Sequence, residues 1–225
     1  MTIKQLKELR ALQKYQNEVA RVQHLYEYEN EIRKEGFNLI AGVDEAGRGS
    51  LVGVMVVAAV ILPPNFFIDH LNDSKKLTHN MRDKVYDDIV KNAIDYSYVE
   101  VAIEEIDTKN IYQATLSGMY MAVKNLSVQP DFVLTDAMKV KFDDPIQTKS
   151  IIHGDALSAS IAAASVIAKV TRDRMTDKWD LQYPQYGFAQ NRGYGTKKHI
   201  EAIYKFGPCE LHRHSFEPVK SMINA

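Results

Sequence analysis

From residue 3 to about 32, apolar side chains recur at Leu6, Leu9, Leu12, Tyr15, Val19, Val22 and Leu25. Steps of three and four predict one amphipathic helix that stops near Gly36. It reads as an N-terminal extension over 1–36, offering a packing or partner face with its polar side solvated. Two short apolar runs follow, 38–44 and the valine-rich 51–62, separated by a glycine-rich turn, and these predict paired strands. Thr78 resembles an N-cap for a helix through Met81, Val85 and Ile89. Further along, the pattern predicts a strand over 96–103, a helix over 108–126, and buried strands over 131–135 and 148–152 that run toward Asp136 and Asp155. The run 158–173 is dominated by alanine and other small residues, as in a helix packed closely on its neighbours. An ordered loop over 183–195 and a helix over 196–206 complete the chain. Strands first, then strands alternating with helices, predict an α/β fold: a mixed sheet flanked by helices over 37–225, with a helical C-terminal portion.

Composition narrows this picture. The 225 residues, 45% of them hydrophobic, suffice for one substantial core. The longest apolar run, 51–62, falls well short of the roughly 20 residues of a membrane span. Met1-Thr2-Ile3-Lys4 shows no basic-then-apolar leader, and the single cysteine, Cys209, excludes an internal disulfide or a multi-cysteine zinc site. The expectation is a cytoplasmic monomer with no membrane partner. A formal net charge of −1 provides no global attraction to nucleic acid, so such a partner has to be argued from particular residues.

The acids supply that argument. Asp44 and Glu45 end an apolar strand, where an uncompensated buried charge would cost several kcal/mol. Taken alone, an ion pair with Arg48 or simple exposure accounts for them. Asp136 and Asp155 also end apolar strands, and such ends in a mixed sheet can converge on one edge. Four converging carboxylates repel one another and call for cations. Oxygen-only ligands suit Mg²⁺ or Mn²⁺ better than zinc, and two such ions about 4 Å apart can cleave a phosphodiester.

The stretch Gly42-Val43-Asp44-Glu45-Ala46-Gly47-Arg48-Gly49 resembles the ribonuclease HII family, and further stretches resemble it in the same order: Asp73-Ser74-Lys75-Lys76-Leu77, the strand ending at Asp136, Gly154-Asp155-Ala156, 161–165, 168–173, Gly193-Tyr194-Gly195-Thr196 and His212-Arg213-His214-Ser215-Phe216. The resemblance spans about 38 to 219. It implies a ribonuclease H-like fold and a metal-dependent endonuclease acting on RNA–DNA hybrids or on duplex DNA that contains ribonucleotides. It also implies that Asp44, Glu45, Asp136 and Asp155 bind two Mg²⁺ or Mn²⁺ ions, that Gly47, Arg48 and Gly49 read the 2′-hydroxyl, and that Tyr194 packs on the following deoxyribose. Glycines let the backbone approach a sugar closely, which suits the first of these recognition roles. Without the resemblance, a tight turn and a core tyrosine are the simpler readings.

Lys75, Lys76, Lys169, Arg172, Arg192 and Lys197 are candidate phosphate contacts, although solvated cations are commoner. His212 and His214 lack further soft ligands and read as structural or solvated, while His153 is a candidate for positioning phosphate or moving protons. The sequence departs from the family pattern at Ser50 and Val54, where proline is common, and at His153 and Arg192, where lysine is common. Lost prolines are expected to loosen the recognition turn by roughly 0.4 to 1 kcal/mol each. Two rivals stay open: a ribonuclease HIII-like hybrid nuclease and a non-catalytic hybrid-binding module.

Overall fold

The computed structural model describes residues 2–143 and 145–223. A five-stranded sheet runs in the order β3-β2-β1-β4-β5. Its strands are β1 (Ile40–Ala46), β2 (Met55–Ile61), β3 (Asp95–Val101), β4 (Phe132–Asp136) and β5 (Gln147–Ile151). β1 pairs antiparallel with β2 and parallel with β4; β2 and β3 are antiparallel, and β4 and β5 parallel. The helices are α1 (Ile3–His24), α2 (Glu27–Lys34), α3 (His79–Asn92), α4 (Ile103–Lys109), α5 (Ile111–Lys124), α6 (Ala159–Gln182), α7 (Phe188–Asn191), α8 (Lys197–Phe206) and α9 (Val219–Ile223). Among the described residues, no helix is long and apolar enough to cross a membrane.

β2 is apolar throughout and buried at every position, as expected of a strand covered on both faces. Its side chains alternate between two cores. Val56, Ala58 and Val60 join Ala162, Ala163 and Val166 of α6, while Val57, Ala59 and Ile61 join Ala114, Met119 and Ala122 of α5. The small residues of α6 let it lie directly on β1. A Cβ on Gly42 would fall 2.0 Å from the Ser160 carbonyl carbon, so this strand and helix meet backbone to backbone.

Several elements differ from their predicted form. The N-terminal helix is two helices, broken where Tyr26 is buried and donates its hydroxyl to the Phe66 carbonyl. The break turns α2 onto the body, where Glu29 is fully buried and accepts hydrogen bonds from the Ser158 hydroxyl and the Ser160 amide at the start of α6. Ile3, Leu6, Leu9, Leu12 and Tyr15 stay exposed, and burial begins only near Val22. The helix expected over 108–126 begins earlier and divides at Asn110, which adopts φ +68° and caps α5 by accepting from the Tyr112 and Gln113 amides. α6 runs on to Gln182, beyond its small-residue stretch. The loop over 183–195 contains a 3₁₀ turn and α7. Residues 51–54 form a turn, with β2 starting at Met55, and Asp44 and Glu45 lie inside β1.

Candidate active site

Parallel pairing brings the ends of β1, β4 and β5 together. Val43 stands opposite Thr135 and Asp136 opposite Ile151, so Asp44 and Asp136 are neighbours one step further on. A 3₁₀ turn directly after β5, Gly154–Ala156, carries Asp155. One carboxylate oxygen from each of Asp44, Asp136 and Asp155 lies within 4.8 Å of the others. Glu45, expected as the fourth member, stands beside this trio, 3.6 Å from the Arg48 guanidinium.

Each acid is held in place. Asp44 accepts the Glu45 amide at 2.7 Å and the Ser165 hydroxyl, and Ser165 Oγ is in turn 2.9 Å from Ser74 Oγ. Asp136 accepts the Gly154 amide at 2.8 Å. Asp155 faces Lys75 Nζ at 3.4 Å. Burial pushes the Asp44 carboxyl well above the usual carboxylate range, and the neighbouring charges of Glu45 and Asp136 push it further. Burial also raises Glu45, against the pull of Arg48, and raises Asp136, against the Gly154 hydrogen bond. At Lys75 burial opposes the charged form, but the attraction of Asp155, Asp44 and Asp73 outweighs it and raises the ammonium. A compact set of hard oxygen donors that resist losing their protons is a site suited to a divalent cation such as Mg²⁺ or Mn²⁺. The residues therefore fit the metals that the resemblance implies.

Beside the acids lies a cleft of about 450 Å³ whose wall includes Glu45, Gly47, Arg48, Lys169 and Tyr194, together with Lys75 and Ser165, the partners of Asp155 and Asp44. A larger hollow beside α5, about 650 Å³, is lined by residues such as Lys109, Tyr112 and Lys139 and holds none of these acids. Gly47 has φ +90°, and a Cβ there would strike the Arg172 guanidinium, so the turn requires glycine on both counts. Tyr194 is 39% exposed at the cleft edge, with Cε1 about 4 Å from where a Gly49 Cβ would stand.

The candidate phosphate contacts divide. Lys75 and Lys169 line the cleft, although Lys169 is ion-paired with Asp173. Lys76 is exposed beside Lys75, and Lys197 is exposed on α8 with Glu201 at 3.9 Å. Arg172 corrects the expectation. It is 1% exposed, and its guanidinium donates to the Val54, Arg192 and Val52 carbonyls and to Ser50 Oγ at 2.8 to 3.2 Å. With its donors spent on three carbonyls and the Ser50 hydroxyl, it braces the turn after β1 from inside. Arg192 is likewise occupied, by the Asp173 carbonyl, Thr176 Oγ1 and Asp177. The expected loosening at Ser50 is offset too, since its hydroxyl donates to the Val52 carbonyl and accepts the Val52 amide and Arg172. His153, left-handed at φ +59°, stands near Asp136 and favours its charged form.

Sequence reasoning did not single out Ser74, Ser165 or Arg213 as parts of the site. Arg213 is fully buried and donates to the Gly53 and Arg48 carbonyls, supporting the same turn. The signal for Ser165 was a hydroxyl directly after three alanines, Ala162–Ala164, and for Arg213 its place in the last matching stretch.

A mixed sheet whose parallel strand ends carry a carboxylate cluster, covered by helices on both faces, is the architecture of the type 2 ribonucleases H. The ribonuclease H2 of Pyrococcus horikoshii OT3 superposes with a TM-score of 0.69 at 24% identity, over 82% of this chain and 97% of that one. A Bst-RNase HIII solved in complex with Mn²⁺ superposes with a TM-score of 0.63 at 17% identity, over 85% and 71%. The family model for ribonuclease HII matches residues 41–219. Ribonuclease HII of Bacillus cereus is 52% identical over 208 residues, 92% of this chain and 80% of that protein, and ribonuclease HII of Acetivibrio thermocellus is 52% identical over 203 residues, 90% and 79%. The chain belongs to the ribonuclease HII family, and it is therefore a hydrolase, an endonuclease of ribonuclease H type.

Proposed function

We propose that the chain cleaves the RNA strand of RNA–DNA hybrids and duplex DNA carrying a single ribonucleotide, with the cut on the 5′ side of the ribonucleotide. Water adds to phosphorus, the bond to the 3′ oxygen breaks, and the products carry 3′-hydroxyl and 5′-phosphate ends. The observation that carries this reading is the meeting of Asp44, Asp136 and Asp155 within 4.8 Å beside a cleft edged by Gly47, Arg48, Gly49 and Tyr194. Two Mg²⁺ or Mn²⁺ ions, held by these three acids and Glu45, would supply acidification of the attacking water and charge neutralisation at the phosphate.

The chain's own residues do the rest. Gly47 and Gly49 leave room for backbone groups to reach the 2′-hydroxyl, and Arg48 is held at the turn by Glu45 and by the grip of Arg213 on its carbonyl. The half-exposed ring of Tyr194 offers a flat apolar face to a sugar that lacks a 2′-hydroxyl. Lys75 and Lys169 bring positive charge to the cleft. Residues 37–225 act as the catalytic unit, working as a cytoplasmic monomer in ribonucleotide removal and RNA-primer processing. The test is an end-labelled duplex with one embedded ribonucleotide, beside a continuous hybrid. A single 5′-side cut in the first duplex, dependent on divalent cation, is expected. Cutting of the continuous hybrid alone points to a ribonuclease HIII-like preference, and no cutting of either overturns the reading.

A further inference from the structure

Behind Tyr194 lies a chain of ring nitrogens that the proposed cleavage does not use. His199 on α8 and His212 are fully buried, with ring centroids 5.4 Å apart, among the rings of Tyr186 and Phe188. The Cys209 amide nitrogen is 3.0 Å from His212 Nδ1, the two Nε2 atoms are 3.3 Å apart, and His199 Nδ1 is 2.9 Å from the Tyr194 carbonyl oxygen.

The two ends set the protons independently. An amide N–H only donates, so His212 Nδ1 carries a lone pair. A carbonyl only accepts, so His199 Nδ1 carries a proton. A neutral imidazole has one N–H. His212 is then protonated on Nε2 and His199 bare on Nε2, and the central contact is a hydrogen bond without conflict. The Cys209 thiol, 3.2 Å from His212 Nδ1, donates in the same sense. The Cys209 carbonyl is 3.3 Å from that nitrogen and already accepts the His212 amide. A proton on Nδ1 directed at this carbonyl would confront the Cys209 N–H and leave two bare Nε2 atoms opposed. Burial keeps both rings neutral: it lowers His199, and with His199 as neighbour it lowers His212 to about 4.

We propose that His199 and His212 are positioning residues for Tyr194, linking the Cys209 backbone to the Tyr194 carbonyl and so setting the pose of the tyrosine ring at the cleft edge. This rests on the reading of Tyr194 as a sugar contact. The Thr196 amide, 2.8 Å from the same carbonyl, is a second anchor, so losing the relay weakens the pose without abolishing it.

The test compares steady-state cleavage of the single-ribonucleotide duplex with that of a continuous hybrid. His199→Phe is expected to lower kcat/KM on the first by about five- to tenfold, mostly through KM, and to leave the second within about twofold. His199→Asn, whose amide nitrogen stands near the lost Nδ1, restores most of the loss, and His199→Phe adds nothing in a Tyr194→Ala background. Equal loss on both substrates, no rescue by asparagine, or additivity with Tyr194→Ala overturns the proposal. Nitrogen-15 NMR of the intact chain decides the relay without any variant: His199 protonated on Nδ1 and His212 on Nε2 support it, and the opposite tautomer of either ring overturns it. If Tyr194→Ala itself spares the single-ribonucleotide duplex, the sugar-contact reading fails, and the tautomers still judge the relay.

Discussion

The Gly154 amide donates to Asp136 Oδ1 at 2.8 Å, tying the turn that carries Asp155 to the strand that carries Asp136. Two acids, one at the end of β4 and one on the turn after β5, thus share one support, and a third, Asp44, is held by Ser165 from α6. The carboxylate geometry is built into the fold itself, which would lower the ordering cost of holding the cations of the proposed function.

Asp44→Asn separates the catalytic from the structural consequences of this arrangement. Activity should fall on the order of 10³-fold, because a charged ligand and a hydrogen-bond acceptor for Ser165 are both altered. The metal-free fold should become more stable by about 1 to 3 kcal/mol, since a buried carboxylate among like charges is removed. Urea titration in chelator, beside the cleavage assay, checks both; a less stable variant would contradict the electrostatic account.

Metal should stabilise the protein more at higher pH. Asp44, Glu45 and Asp136 are raised in the fold, so the native state keeps protons that the unfolded chain has released. The associated stability is fully present below the ordinary carboxylate values and is lost as pH rises through the raised ones. Cations bind the deprotonated acids and oppose that loss. With ion at about a hundredfold over Kd the gain is about 2.7 kcal/mol. Thermal melts with Mn²⁺ or chelator should show the larger rise in Tm near about pH 8 and a smaller one near about pH 5.

Gly42→Ala tests the contact of β1 with α6. The added methyl would meet the backbone of Ser160 and Ile161 at 2.0 to 2.4 Å, atoms that cannot swing aside. A loss of at least about 3 kcal/mol is expected, with reduced activity in the folded fraction because α6 carries Ser165. A denaturant midpoint unchanged from the parent would refute the close approach.

Arg172→Met should act on stability and on the turn that carries Gly47, Arg48 and Gly49, not on phosphate binding. It removes the arginine donors to the carbonyls of Val54 and Arg192 and one of the two donors to the Val52 carbonyl, and a loss of roughly 3 to 5 kcal/mol is expected. The slope of log KM against log salt should stay at the parent value, whereas removing a true phosphate contact lowers it by about 1. The same measurement on Lys75→Met, whose ammonium lies at the cleft, supplies the contrast.

Much of the fold was legible in the residues. Thr78 caps α3 as its position suggested, accepting the Met81 amide, and the apolar runs before Asp44 and Asp136 are the parallel strands β1 and β4. The strand before Asp155 is there too, as β5, but it is the sheet edge and is exposed at Gln147, Thr148 and Lys149 instead of buried as expected. The break at Tyr26 was not legible, because 3–32 keeps helical spacing throughout and the partner that holds Tyr26 there, the Phe66 carbonyl, lies 40 residues further along the chain. Arg172 was misread for a related reason. In sequence an arginine near a basic stretch looks the same whether it meets solvent or three backbone carbonyls and a serine hydroxyl.

What the chain determined by itself was local: periodicity, caps, a small-residue helix, and carboxylates set at the ends of apolar segments. These depend on neighbours a few residues away, where backbone geometry limits the choices. Tertiary structure alone decided that Asp44, Asp136 and Asp155 share 4.8 Å of space, that Arg172 faces Ser50, and that His212 stands behind Tyr194. Such partners lie far apart along the chain, and strand order and helix packing, which no short window contains, bring them together.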